Sequence, residues 1–178
     1  MGSIGDEIKQ TRPFATPSDE AVVTLLGTAD RVRGALSRVV EPQGITLQQY
    51  NVLRILRGAG DQGLPTLEIA VRLIEHNPGI TRLLDRLEAR SLVRRVRCAE
   101  DRRQVLCTAT GGARRLLARL DGPVAETARQ LLAPLDPSRT ADLVRLLDAV
   151  RATTAASSGK VPGRDMKTEK KKEKENRS

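Results

Sequence analysis

Between Ile80 and Thr108 the hydrophobic pattern of the chain changes period, and that change limits its possible folds more than any other feature. Ile80, Leu83, Leu84 and Leu87 stand at i, i+3, i+4 and i+7, one apolar stripe on a helix expected from Pro78 to about Arg90. Projected onto a helical wheel, Thr81, Arg82, Asp85, Arg86 and Ala89 fall on or beside the opposite, open face. After Ser91 the segments 92–98 and 104–108 read as two strands, with Ala99 to Arg103 as the polar connection of a hairpin. A one-sided helix followed at once by a short hairpin cannot bury its own stripe, so neighbouring helices must supply the rest of the core.

Those helices are legible on both sides. Pro17-Ser18-Asp19-Glu20 reads as a helix start with Ser18 as cap, and apolar residues recur from Val22 to Val40 until Pro42 and Gly44 end the helix. A second helix begins after Thr46 and carries Tyr50, Leu53, Ile55 and Leu56. Gly58 to Gly63 then reads as a flexible connection. A short third helix is expected from Thr66 to Leu73, with Leu67, Ile69, Ala70 and Leu73 as its buried side, and Asn77-Pro78 would cap the next. Thr110-Gly111-Gly112 opens a long helix that Gly122-Pro123 is expected to kink or break, and Asp136-Pro137 starts a last one. The expected class is mainly α with a small β-hairpin (α+β). An N-terminal arm (1–17), a folded domain (18–152) and a disordered basic tail (153–178) complete the outline.

Composition narrows the function. The chain has 178 residues, one His, one Phe, one Tyr, no Trp and two Cys. A lone histidine argues against a His-rich metal site and most His-based acid–base catalysis. Two aromatic rings cannot stack a run of single-stranded bases. There is no phosphate-binding loop, dinucleotide fingerprint or nucleophile–base set, so no enzyme, cofactor or metal is expected. Residues 1–17 lack the apolar core of a signal peptide, and no apolar run approaches the ~20 residues of a membrane span. A cytoplasmic protein without membrane association is expected.

The net charge of +9 is unevenly placed. The segment from Lys160 onward contributes +4, and its Lys170-Lys171-Lys172 run offers weak, unspecific attraction. Between Gln10 and Gly159 every base is arginine, and six of these arginines lie between Arg90 and Arg103 beside only two acids. Helix, short loop, helix and two-stranded hairpin, in that order, make a winged helix-turn-helix, which lays the second helix of its pair in the major groove of duplex DNA. Thr81, Arg82 and Arg86 suit that helix, since arginine forks guanine O6 and N7 and threonine meets a thymine methyl or offers its hydroxyl. Pairing of Arg82 and Arg86 with Asp85 and Glu88 on a solvated face is the plainer alternative. The arginine-rich hairpin favours the DNA reading, because arginine forks phosphate and enters narrow minor grooves.

At these residues the sequence resembles the MarR family of winged-helix transcription regulators, over about Ser18 to Ala152. The strongest stretch is Ile80-Thr81-Arg82-Leu83-Leu84-Asp85-Arg86-Leu87-Glu88-Ala89-Arg90-Ser91-Leu92-Val93, continuing through Asp101-Arg102-Arg103 to Thr108-Ala109-Thr110-Gly111-Gly112-Ala113. Gly44 to Tyr50 is similar to the family's opening of the second helix. The resemblance implies that Asp101 holds the wing and positions Arg103, which touches the DNA backbone or minor groove. The family often has Ser or Thr where this chain has Pro78-Gly79, and a glycine where it has Ser91. The expected DNA-contacting set is therefore Asn77, Thr81, Arg82, Arg86, Arg95, Arg97, Asp101, Arg102 and Arg103. The lobe carrying it spans 45–110, between dimerisation helices at 18–44 and 111–152.

The terminal helices carry more aliphatic surface than a small wing domain needs, which points to a homodimer with Val22, Val23, Leu26, Leu131, Leu143, Leu146 and Leu147 at the interface. The resemblance further implies a repressor on a pseudo-palindromic operator, released by a small-molecule effector. Tyr50 and His76 are possible effector contacts, although an isolated Tyr or His is more often simply packed. Two other readings stay open: an architectural protein that coats DNA without sequence preference, and a redox-responsive regulator. For the latter, Cys98 and Cys107 lie in the wing strands close to Arg95 and Arg97, which favour thiolates. Regular strands would place these cysteines on opposite faces, and a structural role is the simpler one.

Overall fold

The computed structural model describes residues 2–73, 79–97 and 104–158. Asn77, Pro78, His76, Cys98, Asp101, Arg102 and Arg103, and the tail from residue 159, lie outside them. The helices are α1 (Ile4–Glu7), α2 (Pro17–Val40), α3 (Leu47–Ala59), α4 (Thr66–Arg72), α5 (Ile80–Ala89), α6 (Gly111–Leu131) and α7 (Pro137–Ser158). The strands are β1 (Leu64–Pro65), β2 (Val93–Arg97) and β3 (Val105–Ala109). The chain divides between Leu131 and Leu132 into two compact units, so α1–α6 with the sheet form one and α7 belongs to the other.

Local chemistry sets the helix boundaries. Thr16, not Ser18, caps α2: its hydroxyl accepts from Asp19 N at 3.1 Å and Asp19 Oδ2 accepts from Thr16 N at 3.0 Å. That reciprocal box needs an acid three residues on, which Thr16 has in Asp19, and it leaves Pro17 at the first helical position. Thr46 and Gln49 make the same box for α3. Thr110 Oγ1 accepts from Ala113 N at the start of α6, and Asp136 Oδ1 accepts from Arg139 N at the start of α7. The left-handed Gly44 (φ 74°) closes the short 3-10 turn Glu41–Gln43 after α2.

The sheet has the order β1-β3-β2, all antiparallel, with Arg95 opposite Cys107 and Leu64 also opposite Cys107. A third strand thus follows directly on the stretch read as a flexible connection, at two residues that show no strand pattern of their own. It is two residues long, and its pairing partners are far away in sequence. The core collects Val52, Leu53 and Leu56 of α3, Ile69 of α4, Leu84 and Leu87 of α5, and Leu117 of α6, all fully buried. Arg57 Nη1 and Nη2 fork Asp121 at 2.7 and 3.0 Å and tie α3 to α6.

Three expectations need correction. Leu67 was placed on the buried side of α4 but is 80% exposed, because Ile69 and Leu73 set the inner face of this short helix and Leu67 falls outside it. Gly122-Pro123 does not break α6, which runs uninterrupted through Pro123. Gly122 lacks the Cβ that the following proline ring crowds, which relieves part of the strain, although Pro123 still offers no N–H to the carbonyl four residues back. Finally, α7 runs to Ser158, past the expected beginning of the tail at 153.

The end of α5 shows a substitution with a definite sign. Ser91 N donates to Glu88 O at 2.8 Å and Leu92 N to Leu87 O at 2.9 Å, the paired bonds of a Schellman cap. The cap requires a left-handed residue, and Ser91 takes it at φ 56°. Ser91→Gly is therefore expected to stabilise the protein by about 0.5–1 kcal/mol, a rise of a few degrees in melting temperature by calorimetry.

Candidate nucleic-acid interface

Helix α5 is held by one face and free on the other. Ile80, Leu83, Leu84 and Leu87 are all buried, whereas Thr81, Arg82, Asp85 and Arg86 are exposed. The stripe read from the sequence is thus the anchoring face. The alternative pairing of Arg82 and Arg86 within α5 is not adopted: neither forms an ion pair with another described residue. Asp85 and Glu88 are engaged elsewhere, by Arg95 of β2.

The period of two sorts Arg94 and Arg95 of β2, and Arg97, on the same parity as Arg95, is exposed because it ends the strand. Val93 is buried and faces the core. Arg95, two residues on, points the same way and is only one-fifth exposed at its side chain. Its Nη2 donates to Asp85 Oδ1, and its Nε lies 3.1 Å from Glu88 Oε2. Burial opposes the charge of Arg95, but its hydrogen bond to Asp85 and the charges of Glu88 and Asp85 outweigh it and hold its pKa above the ordinary value. Arg94 and Arg97 are exposed and pair with no other described residue. The alternation set by buried Val93 puts residue 94 on the face turned away from the core and from α5.

Arg90 turns inward too. Its guanidinium donates to the carbonyl of Gly44, and to that of Gln43 at 3.2 Å, fastening the end of α5 to the loop before α3. The outward cationic groups of α5 are then Arg82 and Arg86, flanked by the hydroxyl of Thr81, while on β2 Arg97 is exposed at the strand's end and Arg94 lies on the face turned away from α5, beside Asp61, Thr108 and Arg114. The α5 face can fork phosphates and base edges. No group of three or more His, Cys, Asp or Glu able to hold a metal ion occurs among the described residues. Among them, too, no helix is long and apolar enough to cross a membrane.

The expected interface residues sit as follows. Val22 and Leu26 on α2 are 56% and 66% exposed, Val23 is half-buried and Leu131 at the end of α6 is 37% exposed. On α7, Leu146 and Leu147 are exposed and Leu143 is partly so. Tyr50 is packed in the core, with the Arg54 guanidinium 5.8 Å from its ring centroid, and burial raises its pKa.

Cys107 is fully buried at the centre of the sheet, 3.9 Å from Thr66 Oγ1. Burial raises its pKa, outweighing the hydrogen bond to Thr66 and the charge of Arg95, so the nearby arginine does not make it a thiolate. With Cys98 replaced by serine, native protein is expected to react with a chromogenic disulfide at least ~100-fold more slowly than a free thiol, and to react fully once unfolded. Fast reaction in the native state would mean that Cys107 is accessible.

Fold and surface together define a winged helix-turn-helix protein with an arginine-bearing exposed helix face. The MarR family model matches residues 45–105. A MarR transcription factor from Planctomyces limnophilus is 36% identical in structure-based comparison, covering 77% of this chain and 99% of that one with a TM-score of 0.60. The homoprotocatechuate degradative operon repressor of Escherichia coli is 25% identical over 145 residues, 82% of this chain and 97% of that protein. A mutant MarR from Escherichia coli, complexed with operator DNA, shares 26% identity over 71% of this chain and 89% of that one, with a TM-score of 0.65. The chain belongs to the MarR family of transcriptional regulators, which are not enzymes.

Proposed function

We propose that the protein is a homodimeric, sequence-specific regulator that binds double-stranded DNA, acting as a repressor on a pseudo-palindromic operator and released by a small effector. The observation that carries this reading is α5 itself: four buried aliphatic residues fix the helix, and Thr81, Arg82 and Arg86 stand unobstructed on its outer face. Arg97 at the outer end of β2, with Arg102 and Arg103 in the wing loop, supplies phosphate and minor-groove contacts in this scheme. Asp101 orders the loop, and Asn77 meets DNA beside the start of α5. The lobe from 45 to 110 reads DNA, and a second copy covers the apolar residues exposed on α2 and α7. The operator-bound MarR and the operon repressor support the choice of duplex DNA and of repression.

Selection of bound fragments from a genomic library tests this directly. Enriched fragments are expected to share a two-fold symmetric motif, with two chains bound per motif by sedimentation. Fragments without a common motif would instead favour an architectural protein that coats DNA. A single chain per motif would remove the homodimer.

A further inference from the structure

Arg95 was expected on the DNA, yet the fold spends it on two carboxylates. We propose that Arg95 is a positioning residue that clasps the wing to the recognition helix and keeps Asp85 and Glu88 from repelling the phosphate backbone; this rests on the DNA-binding reading above. Three observations converge on it. Arg95 reaches from β2 to α5 and contacts both acids, one by Nη2 and the other by Nε at 3.1 Å. Its side chain is 20% exposed, the least of any ion-paired arginine among the described residues, while Asp85 and Glu88 are 56% and 44% exposed. Its Nε is buried and lacks an aligned hydrogen bond, so the Glu88 carboxylate is the group that compensates it.

The placement of the acids matters as much as that of the arginine. Asp85 lies between Arg82 and Arg86 along the exposed side of α5, and Glu88 lies one turn beyond Asp85. Uncompensated carboxylates there would face the same polyanion that Arg82 and Arg86 are to bind. One guanidinium can serve both because its donors are planar and forked, whereas a lysine ammonium is a single point of charge. The same clasp fixes β2, and with it Arg94 and Arg97, at a set distance from α5. Arg95 thus acts on DNA binding through the groups it holds.

A double-mutant cycle separates this from direct contact. Affinity for a duplex recovered by the genomic selection is measured at fixed salt for the wild type, Arg95→Met, Asp85→Asn/Glu88→Gln and the combined variant, each verified as folded by circular dichroism. Arg95→Met is expected to weaken binding about tenfold or more in the wild-type background and by less than about threefold when both acids are already neutral. Equal losses in the two backgrounds, or no loss in either, would overturn the proposal. Should Arg95→Met not fold, Arg95→Lys replaces it in the same cycle. Lysine would serve a phosphate nearly as well as arginine but cannot span both acids, so wild-type affinity for Arg95→Lys would equally overturn it. If the wild type selects no duplex at all, the DNA reading fails instead, and the two failures remain distinguishable.

Discussion

Gly63→Ala is expected to destabilise the protein by about 3 kcal/mol or more, a loss of roughly 10 °C in melting temperature. Gly63 has φ 70° and ψ −172°, a region open essentially to glycine alone. A Cβ built there would lie 2.6 Å from the carbonyl oxygen of Cys107 and 2.7 Å from Thr108 Cγ2. The first of these is backbone in the middle strand of the sheet and cannot swing aside. Relief would require β1 to move off β3, losing the Leu64–Cys107 and Pro65–Leu106 register. Gly58, at the exposed end of α3 with nothing within 4 Å of a built Cβ, is the control. Gly58→Ala is expected to stabilise by about 0.5–1 kcal/mol, because a helical glycine is costly and nothing stands in the way of the methyl. Thermal melts of the two variants should move in opposite directions. Equal melting temperatures would mean that the segment 60–65 does not pack against β3 as described.

Gly63 also marks where sequence reasoning stops. The helices of 17–59 and 80–131 and the hairpin were legible because each writes its own period: Ile80, Leu83, Leu84 and Leu87 need only each other to define a face. The strand at Leu64-Pro65 has no period to show, and its partners lie some forty residues away at Cys107 and Leu106. Its cue is only the run of Gly58, Gly60 and Gly63, which suits a loop equally well. The ion pairs of Arg95 escape the sequence for a related reason. Residue type groups it with Arg97, Arg102 and Arg103 as a DNA contact, while the alternation from buried Val93 sends residue 95 inward and residue 94 outward. The acids that receive Arg95 are on another element, and only the packing of α5 against β2 brings them together. Pro123 shows the opposite error, where a rule about one residue was applied without its neighbour. Gly122, without a Cβ, relieves part of the strain that a proline puts on the residue before it, and the helix continues.

The exposed arginines of α5 provide the other large effect. Arg82→Ala combined with Arg86→Ala is expected to lower affinity for the selected duplex by about 2–4 kcal/mol, roughly 30- to 1000-fold. Neither side chain pairs with another described residue, and both stand on the face opposite the buried stripe. Their removal should therefore change stability by no more than about 0.5 kcal/mol, so a loss of binding would report the interface rather than the fold. Arg97→Ala offers the contrast. Located at the end of β2, it is assigned to phosphate, and its loss should weaken selected and random duplexes alike while reducing the slope of log affinity against log salt by about 0.9. The α5 double variant should instead lose its preference, with the selected duplex falling toward the affinity of random DNA. If both duplexes weakened equally in the double variant, Arg82 and Arg86 would be phosphate contacts, and base recognition would have to lie with Thr81 and Asn77. If neither weakened, α5 would not be the helix that meets DNA, whatever its likeness to one that does.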